Sequence, residues 1–486
     1  MNRRKWFHHA AGGVFGAALA SVFRDDLGVL LGAQPPPSND SQQEPGTRSH
    51  DLRPKAPHFP GKARSVIQLF MNGGPSQMDL FDPKPMLDRY HGKPYFDKIA
   101  GEVENIGAAG AIFRSPFKFQ QHGRSGLWVS ELLPHIARQA DHLGVIKSMF
   151  TTNLTHEPAL YLIHSGQMRA GYPCLGSWVV YGLGTESQNL PAYVVLDDPG
   201  GLPVNGSESW SAGSLPPIYQ GTRFRSRGAP ILNLRPEHEA PTGITSMARD
   251  FLRSFDHAHD RARPHQPQLE ARLASYELAA RMQLSASEAL DFGSESPMTL
   301  ASYGVGQPST DSYGRRCLIA RRLVERGVRF VQIFINGQIW DHHTGIEDGL
   351  KSACLKTDQP IAALLEDLRQ RGLLESTLVV WGGEFGRLPI AQLADDKSER
   401  NAGRDHNKNA FTTWMAGAGV RGGTVFGATD ELGFAAVEDK VSVPDWHATI
   451  LHLLGLRHED LFAERNGLQE RLTGVMDARI VREILT

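Results

Sequence analysis

Residues 328–343 read "VRFVQIFINGQIWDHH", which predicts a buried strand followed by a polar loop. An apolar run of strand length, Val328 to Ile335, is followed by a turn and then by Asp341, His342 and His343. Near-continuous apolar strands are typical of parallel sheets that helices cover on both faces. Ligands bind such sheets beyond the carboxyl ends of the strands, so the polar residues at the end of this stretch are candidates for chemistry.

Four other stretches repeat the pattern of a strand followed by a polar loop. They read "ARSVIQLFMNGGPSQMDLFDPKP", "LGVIKSMFTTNLTHEP", "AYVVLDDPGG" and "STLVVWGGEFGRLP". Helical patterns lie between them, for example at 269–284 and at 358–374, where Asp358 is a candidate helix cap and Pro360 lies in the first turn. This alternation predicts an α/β fold with a mainly parallel sheet.

Composition narrows the function classes. The chain has 486 residues, 40% of them apolar, with 50 glycines and 30 prolines, which is typical of a globular, loop-rich enzyme. The net charge of −2 gives no reason to expect nucleic acid or an anionic membrane as a partner. The three cysteines are far apart and form no CxxC pair, which argues against a cysteine metal cage.

The N-terminus resembles a targeting signal. Arg3 and Arg4 precede a short apolar segment rich in glycine and alanine, which predicts a twin-arginine signal peptide over residues 1–33 and a periplasmic or secreted protein. The alternative is a basic N-terminus without a targeting role. Residues 34–60 are rich in proline and polar residues and predict a flexible linker. No other stretch approaches 18 apolar residues, so we expect no integral membrane span in the mature chain.

Asp341 and His343 are the first candidate metal ligands. Carboxylate oxygen and imidazole nitrogen together suit zinc, manganese or iron. In an extended loop these two side chains point the same way, while His342 points away. A surface loop without a ligand is the alternative.

Two more polar loops adjoin strands. Glu384 stands between glycines at the end of "STLVVW", and Arg387 could stabilise it or bind an anionic substrate. A Glu–Arg pair that only stiffens the turn is the alternative. His406 lies in "AGRDHNKNAF", ahead of a further apolar run, and is a third candidate ligand.

Thr155 and His156 follow another strand. A threonine hydroxyl close to a metal ion could act as a nucleophile, with His156 as acid or base. The alternative is a structural role for Thr155 as the N-cap of the helix that follows. For Asp445 and His447, in "VPDWHATILHLLGL", a capped core helix is favoured.

With these pieces in order, the chain resembles a large family of exported bacterial proteins of unknown function, which is grouped by fold with the sulfatases and alkaline phosphatases. The resemblance covers roughly residues 60–460. It rests on stretches that include "GGPSQMDLFDPKP", "THEPALYLIHSG", "WDHHTG", "ESTLVVWGGEFGRLP", "GRDHNKNAF" and "DWHATILHLLGL".

The resemblance implies an alkaline-phosphatase-like three-layer αβα sandwich in a single domain over 61–480. It also implies hydrolysis of a phosphate or sulfate ester, in a small molecule or a polysaccharide, through a covalent intermediate. By position, Asp341, His343 and His406 would bind a divalent ion (zinc, manganese or calcium), with Glu384 as a further ligand.

The chain also departs from the pattern of that superfamily. Phe385 follows Glu384 where a histidine is expected, and Asn72 stands where phosphatases place a metal-binding aspartate, for which Asp79 could substitute. The Cys-x-Pro-x-Arg signature of sulfatases is absent. These departures leave two hypotheses: an exported metal-dependent ester hydrolase, or a non-catalytic binding or structural protein on the same scaffold.

Overall fold

The computed structural model describes residues 52–225, 242–262, 266–335, 337–395, 398–475 and 477–486. The predicted signal peptide, and the predicted linker as far as residue 51, lie outside the described residues. At the end of that linker, the backbone N–H groups of Lys55 and His58 donate to the carbonyls of Leu183 (2.9 Å) and Gly455 (2.9 Å). Among the described helices, none has the length and apolar character needed to cross a bilayer.

A nine-stranded sheet forms the centre of the fold. Its strands are Ser65–Phe70 (β1), Leu143–Phe150 (β2), Tyr193–Leu196 (β3), Thr222–Phe224 (β4), Phe330–Phe334 (β5), Thr377–Gly382 (β6), Phe411–Ala416 (β7), Thr424–Phe426 (β8) and Val441–Ser442 (β9). Their order is β8-β2-β7-β6-β1-β5-β3-β4, and β9 also pairs with β2. Only β7 runs antiparallel to its neighbours in this sheet, so the carboxyl ends of the other strands meet at one edge.

Helices cover both faces of the sheet. They are Gln77–Leu80 (α1), Pro85–Tyr90 (α2), Phe96–Ile99 (α3), Pro134–Ala137 (α4), His156–Ser165 (α5), Leu175–Leu183 (α6), Thr242–Arg261 (α7), Pro267–Leu290 (α8), Pro297–Ser302 (α9), Asp311–Glu325 (α10), Ile346–Gln370 (α11) and Val443–Leu453 (α12). Within β1, Ile67 and Leu69 pack into the core shared with α10 and α11, while Val66 and Phe70 pack into the core shared with α6 and α12. This alternation gives two cores around one sheet, which confirms the predicted three-layer αβα architecture.

The prediction for the helix at 358–374 was wrong at its start. Helix α11 begins at Ile346, and Pro360 lies in its interior. Asp358 caps a different segment, because its carboxylate accepts the N–H groups of His135 (2.9 Å) and Ile136 (2.7 Å) at the start of α4. The cap residue therefore serves a neighbour in space, which no local pattern reveals.

Two features fix the loops at the carboxyl edge of the sheet. The pair Gly386–Arg387 hydrogen-bonds antiparallel to His406–Asn407, which brings the segment ahead of β7 to this edge. After β1, Gly73 (φ +109°) and Gly74 (φ +74°) adopt conformations that favour glycine. A Cβ on Gly73 would lie 2.6 Å from the backbone nitrogen of Asp341, so only glycine lets these two loops approach so closely.

Candidate metal centre

Four side chains from three different loops meet at the carboxyl edge of the sheet. Asp341 and His343 follow β5, His156 is the first residue of α5 after β2, and His406 precedes β7. Because β7 runs antiparallel, its beginning lies at the edge where the other strands end. One possible ligand atom from each of the four side chains lies within 4.8 Å of all the others.

Asp341 lies at the middle of this group, which we call the donor group. Its Oδ1 atom is 3.0 Å from Nε2 of His343 and 3.2 Å from Nε2 of His406, and its Oδ2 atom is 3.2 Å from Nε2 of His156. The group is largely buried, yet one third of the His343 side chain is exposed. Solvent or a small molecule can therefore reach the group from the His343 side.

An acceptor oxygen lies close to Nδ1 of each of the three imidazoles. The three Nε2 atoms face Asp341, whereas each Nδ1 atom faces an acceptor oxygen on the outer side. The pairs are His156 with Glu384 Oε1 (2.7 Å), His343 with Gln392 Oε1 (2.5 Å) and His406 with Glu104 Oε2 (2.6 Å). The hydrogen bonds from Nδ1 of His156 and His343 favour the tautomers with hydrogen on Nδ1, which leave the Nε2 lone pairs of these two rings directed inwards. Nδ1 of His406 lies close to Glu104 but forms no hydrogen bond with it.

This arrangement suits a cation. When His156 and His343 are neutral and in those tautomers, their Nε2 lone pairs face the carboxylate of Asp341, and Nε2 of His156 is a buried atom without a hydrogen-bond partner among the described residues. Two ligand atoms that bind one zinc ion at 2.0–2.2 Å in a tetrahedron lie roughly 3.3–3.6 Å apart, close to the distances between Asp341 and the imidazoles. Second acceptors that hold the outer nitrogens are the usual surroundings of metal-binding histidines. The residues present thus fit a divalent transition-metal ion.

Burial and neighbouring charges shift the pKa values of Asp341, His156 and His406. Burial would raise the pKa of Asp341, but the three histidines and Arg387 hold it well below the usual range. Burial would lower the pKa of His156, yet the carboxylates of Asp341 and Glu384 outweigh burial and raise it to about 9. Burial lowers the pKa of His406 to about 4, with the positive charge of Arg387 acting in the same direction.

Glu384 lies behind His156 and outside the donor group. It is fully buried, and it accepts the backbone N–H of Gly73 at 3.0 Å as well as the contact from Nδ1 of His156. Its carboxylate therefore fixes the ring of His156. The sequence placed Glu384 near the centre but did not foresee that His156 would stand between it and Asp341.

Arg387 is almost fully buried and is directed towards Asp341. Its guanidinium donates to Oδ1 of Asp341 (2.7 Å), to the carbonyls of Gly74 (2.9 Å) and Arg404 (3.1 Å), and to the carbonyl of Gly73. These contacts hold Asp341 in place, and the burial of the guanidinium keeps it away from the opening.

Thr155 lies at the start of α5, next to His156. Its side chain is exposed and makes no cap hydrogen bond to the helix. Instead, its Oγ1 donates to Oδ1 of Asn153 (2.7 Å), and its backbone N–H donates to the same oxygen (2.8 Å). The hydroxyl is thus accessible beside a donor residue.

Phe385 and Asp79 add no ligand atom to the donor group. The ring of Phe385 is fully buried and packs 4.8 Å from the ring of His156 and 4.5 Å from that of His406. Asp79 is fully buried in an ion pair with Arg404 (2.7 Å). Asp79 therefore pairs with Arg404 and is not one of the residues of the donor group.

A family model described as "Protein of unknown function (DUF1501)" matches residues 63–485. The chain belongs to this family. No curated protein matches the sequence of this DUF1501 chain.

Several solved structures are similar to the DUF1501 chain at low sequence identity. The lipoteichoic acid synthase LtaP from Listeria monocytogenes is 9% identical, with 83% of this chain and 75% of that chain covered and a TM-score of 0.32. The phosphonate monoester hydrolase SpPMH from Silicibacter pomeroyi is 12% identical (87% and 76% covered, TM-score 0.34). The PsFucS1 sulfatase from Pseudoalteromonas sp. is also 12% identical (81% and 68% covered, TM-score 0.35). Similarities this low transfer no activity to the DUF1501 chain.

Two residues around the donor group were not foreseen from sequence, namely Glu104 and Gln392. Gln392 lies in a short strand, Ile390–Gln392, and Glu104 lies in an irregular segment ahead of β2. Glu104 also forms, with Asp405 and His406, a second set of closely spaced candidate ligand atoms. Neither residue follows a strand of the main sheet, so the pattern that pointed to Asp341 gave no signal for them.

Proposed function

We propose that this DUF1501 chain is a metal-dependent hydrolase of a phosphoric or sulfuric ester. The observation that carries the proposal is the donor group itself: Asp341 with three imidazoles whose Nε2 atoms lie 3.0–3.2 Å from its carboxylate, two of them hydrogen-bonded at Nδ1. A divalent ion held there would act as a Lewis acid towards an ester oxygen or towards water.

The protein groups around the ion would have separate tasks. Asp341, His156, His343 and His406 would hold the ion, while Glu384 would orient His156 through the 2.7 Å contact. Arg387 would keep Asp341 in place through its 2.7 Å hydrogen bond. An anionic ester would approach from the exposed side of His343.

Thr155 is the proposed nucleophile. Its hydroxyl is exposed beside His156, and Asn153 accepts a hydrogen bond from it. The N-terminal end of α5 lies at the same place, and the positive end of a helix dipole favours a bound anion. A phosphate or sulfate ester meets both requirements, because it is anionic and its central atom can be attacked by a hydroxyl. Attack by the Thr155 oxygen would form a bond to phosphorus or sulfur and break the bond to the ester alcohol, which would leave with the proton that the threonine loses, and water would then hydrolyse the adduct on Thr155.

The burial of the two nearby arginines supports a second candidate. Arg387 and Arg404 are 1% and 0% exposed and bind groups within the protein, so neither can pair with an anionic substrate. A protein that uses the ion only to join the loops after β2 and β5 with the segment before β7 would have these features. It would bind metal and hydrolyse nothing.

One experiment separates these candidates. We would measure the metal content of the purified full chain after reloading with zinc or manganese, beside His406→Ala and the control His342→Ala. His342 is the neighbouring histidine that lies outside the donor group. We expect about one equivalent in the wild type and in His342→Ala and a strong loss in His406→Ala. Aryl phosphate and aryl sulfate esters would then be tested with the loaded wild type.

The possible results lead to different conclusions. Metal binding together with hydrolysis that His406→Ala abolishes supports the hydrolase. Metal binding without hydrolysis of either ester class favours the structural ion. A reloaded wild type that binds no ion would overturn both candidates.

We also propose that the chain is exported through the twin-arginine pathway. The proposal rests on Arg3 and Arg4 ahead of an apolar segment. A fusion of residues 1–60 to a reporter that works only outside the cytoplasm should be active, and replacing both arginines with lysine should abolish that activity. Equal export of the lysine variant would exclude this pathway.

A further inference from the structure

We infer that Glu104 is a positioning residue of the donor group and controls how tightly an ion is retained. Its carboxylate holds the ring of His406 on the side away from Asp341. The inference rests on the proposed function, since it presupposes that the donor group binds a metal ion.

Glu104 lies close to the outer nitrogen of His406. Oε2 of Glu104 lies 2.6 Å from Nδ1 of His406, whose side chain is 4% exposed. Asp405 is the other carboxylate near this nitrogen, but both of its oxygens accept backbone N–H groups. Oδ1 accepts the backbone N–H of His406 (2.8 Å), and Oδ2 accepts the backbone N–H of Asn105 (2.9 Å). Glu104 is therefore the carboxylate that lies within ion-pair distance of the outer nitrogen of His406, a buried atom without a hydrogen-bond partner among the described residues.

Contacts of the neighbouring residues Glu102 and Asn105 position Glu104 beside His406. On one side of Glu104, Glu102 pairs with Lys408 (2.9 Å) and accepts the side-chain amide of Asn409 (3.2 Å). On the other side, the N–H of Asn105 is bound by Asp405. The partners in these contacts, Asp405, Lys408 and Asn409, are close to His406 in sequence. The contacts therefore hold the segment that carries Glu104 beside the ring of His406.

Glu104 differs from the other two acceptors in its exposure. Glu384 is 0% exposed and Gln392 is 7% exposed, whereas the Glu104 side chain is 40% exposed. Glu104 can therefore be replaced without leaving a hole in the protein interior. A carboxylate behind an imidazole fixes the ring and raises its basicity, and loss of such a partner typically weakens metal binding by about 10–100-fold.

The test measures Co²⁺ affinity of the full chain by competition with a chromophoric chelator, together with the absorption spectrum of bound Co²⁺. The variants are Glu104→Ala, Glu104→Gln and the control Glu157→Gln. Glu157 is an exposed glutamate next to His156 that touches no donor nitrogen. We expect Glu104→Ala to weaken affinity by about 10–100-fold and to change the spectrum. Glu104→Gln retains an acceptor oxygen and should restore much of the affinity, and Glu157→Gln should match the wild type.

The outcomes separate this inference from the proposed function. A wild type that binds no Co²⁺ overturns the proposed function. A wild type that binds Co²⁺ beside a Glu104→Ala protein of equal affinity and unchanged spectrum overturns only the role of Glu104. Equal losses in Glu104→Ala and Glu157→Gln would assign the effect to general charge and would overturn it as well.

Discussion

Nδ1 of His156 lies 2.7 Å from Oε1 of Glu384, and the same carboxylate accepts the backbone N–H of Gly73. This contact joins the loops that follow β2, β6 and β1. One fully buried carboxylate therefore fixes the position of three loops at the carboxyl edge of the sheet.

Replacement of Glu384 should affect both stability and ion binding. Glu384→Ala leaves the N–H of Gly73 and Nδ1 of His156 without acceptors in a buried place, and each unsatisfied group costs about 1–3 kcal/mol. We expect a free energy of unfolding that is lower by about 2–5 kcal/mol in guanidinium titrations. Glu157 is exposed and follows His156 in the first turn of α5, so Glu157→Ala should change the free energy of unfolding by no more than about 0.5 kcal/mol. A Glu384→Ala protein as stable as this control would contradict the prediction.

Ion affinity should rise with pH. In the metal-free protein the pKa of His156 is raised to about 9, so His156 must release a proton to bind an ion. Below that pKa, each decrease of one pH unit should weaken the apparent affinity for the ion by about tenfold through His156 alone. Calorimetric titrations at about pH 6.5, 7.5 and 8.5 should show tighter binding at each step and proton release that depends on the buffer. Affinity that stays constant over this range would exclude His156 as a ligand.

Acid should destabilise the fold through two histidines of the core. Burial lowers the pKa of His164 to about 3 and that of His447 to about 4, while an unfolded histidine titrates near about 6.5. The unfolded chain thus binds more protons, so this stability is complete above about pH 6.5 and falls as the pH drops towards 4. The slope is about 1.4 kcal/mol per pH unit for each histidine. In denaturant titrations between about pH 6.5 and 5, His447→Gln should have a slope smaller by about that amount, and an unchanged slope would refute the assignment.

Thr155 should be needed for turnover but not for folding. Its side chain is exposed and makes no helix cap, so Thr155→Ala should change the free energy of unfolding by less than about 0.5 kcal/mol. If Thr155 is the nucleophile, kcat should fall by at least about a hundredfold, Thr155→Ser should retain activity, and mass spectrometry of trapped protein should find the covalent adduct on this residue. Thr152→Ala serves as the exposed control from the same loop. Full activity of Thr155→Ala would remove Thr155 from the mechanism.

The Asp79–Arg404 ion pair should matter for stability and not for ion binding. Both side chains are 0% exposed, and Asp79→Asn would leave the charge of Arg404 buried without its partner. Breaking a buried pair in this way costs about 3–5 kcal/mol, which urea unfolding would measure against Asp88→Asn on the surface. Metal affinity should be unchanged, and a large loss of affinity in Asp79→Asn would show that Asp79 belongs to the centre after all.

The α/β class and the edge of the sheet where the polar loops meet can be predicted from the order of apolar runs and polar loops along the chain. The apolar runs at Val66–Met71 and Val328–Ile335 largely coincide with β1 and β5, because near-continuous apolar segments of that length are buried on both sides. Since the carboxyl ends of parallel strands meet at one edge, Asp341, Glu384 and Thr155 could be expected near each other without knowledge of the strand order.

The partners of the individual side chains at that edge cannot be predicted from the sequence pattern. Spacing along the chain does not tell that His156 separates Glu384 from Asp341, or that Asp79 is committed to Arg404. Glu104 and Gln392 lie outside the strand pattern, and the carboxylate of Asp358 caps a helix far away in sequence. Side-chain direction at such positions depends on how distant loops pack, because buried polar groups take the partner that is nearest in space rather than in sequence.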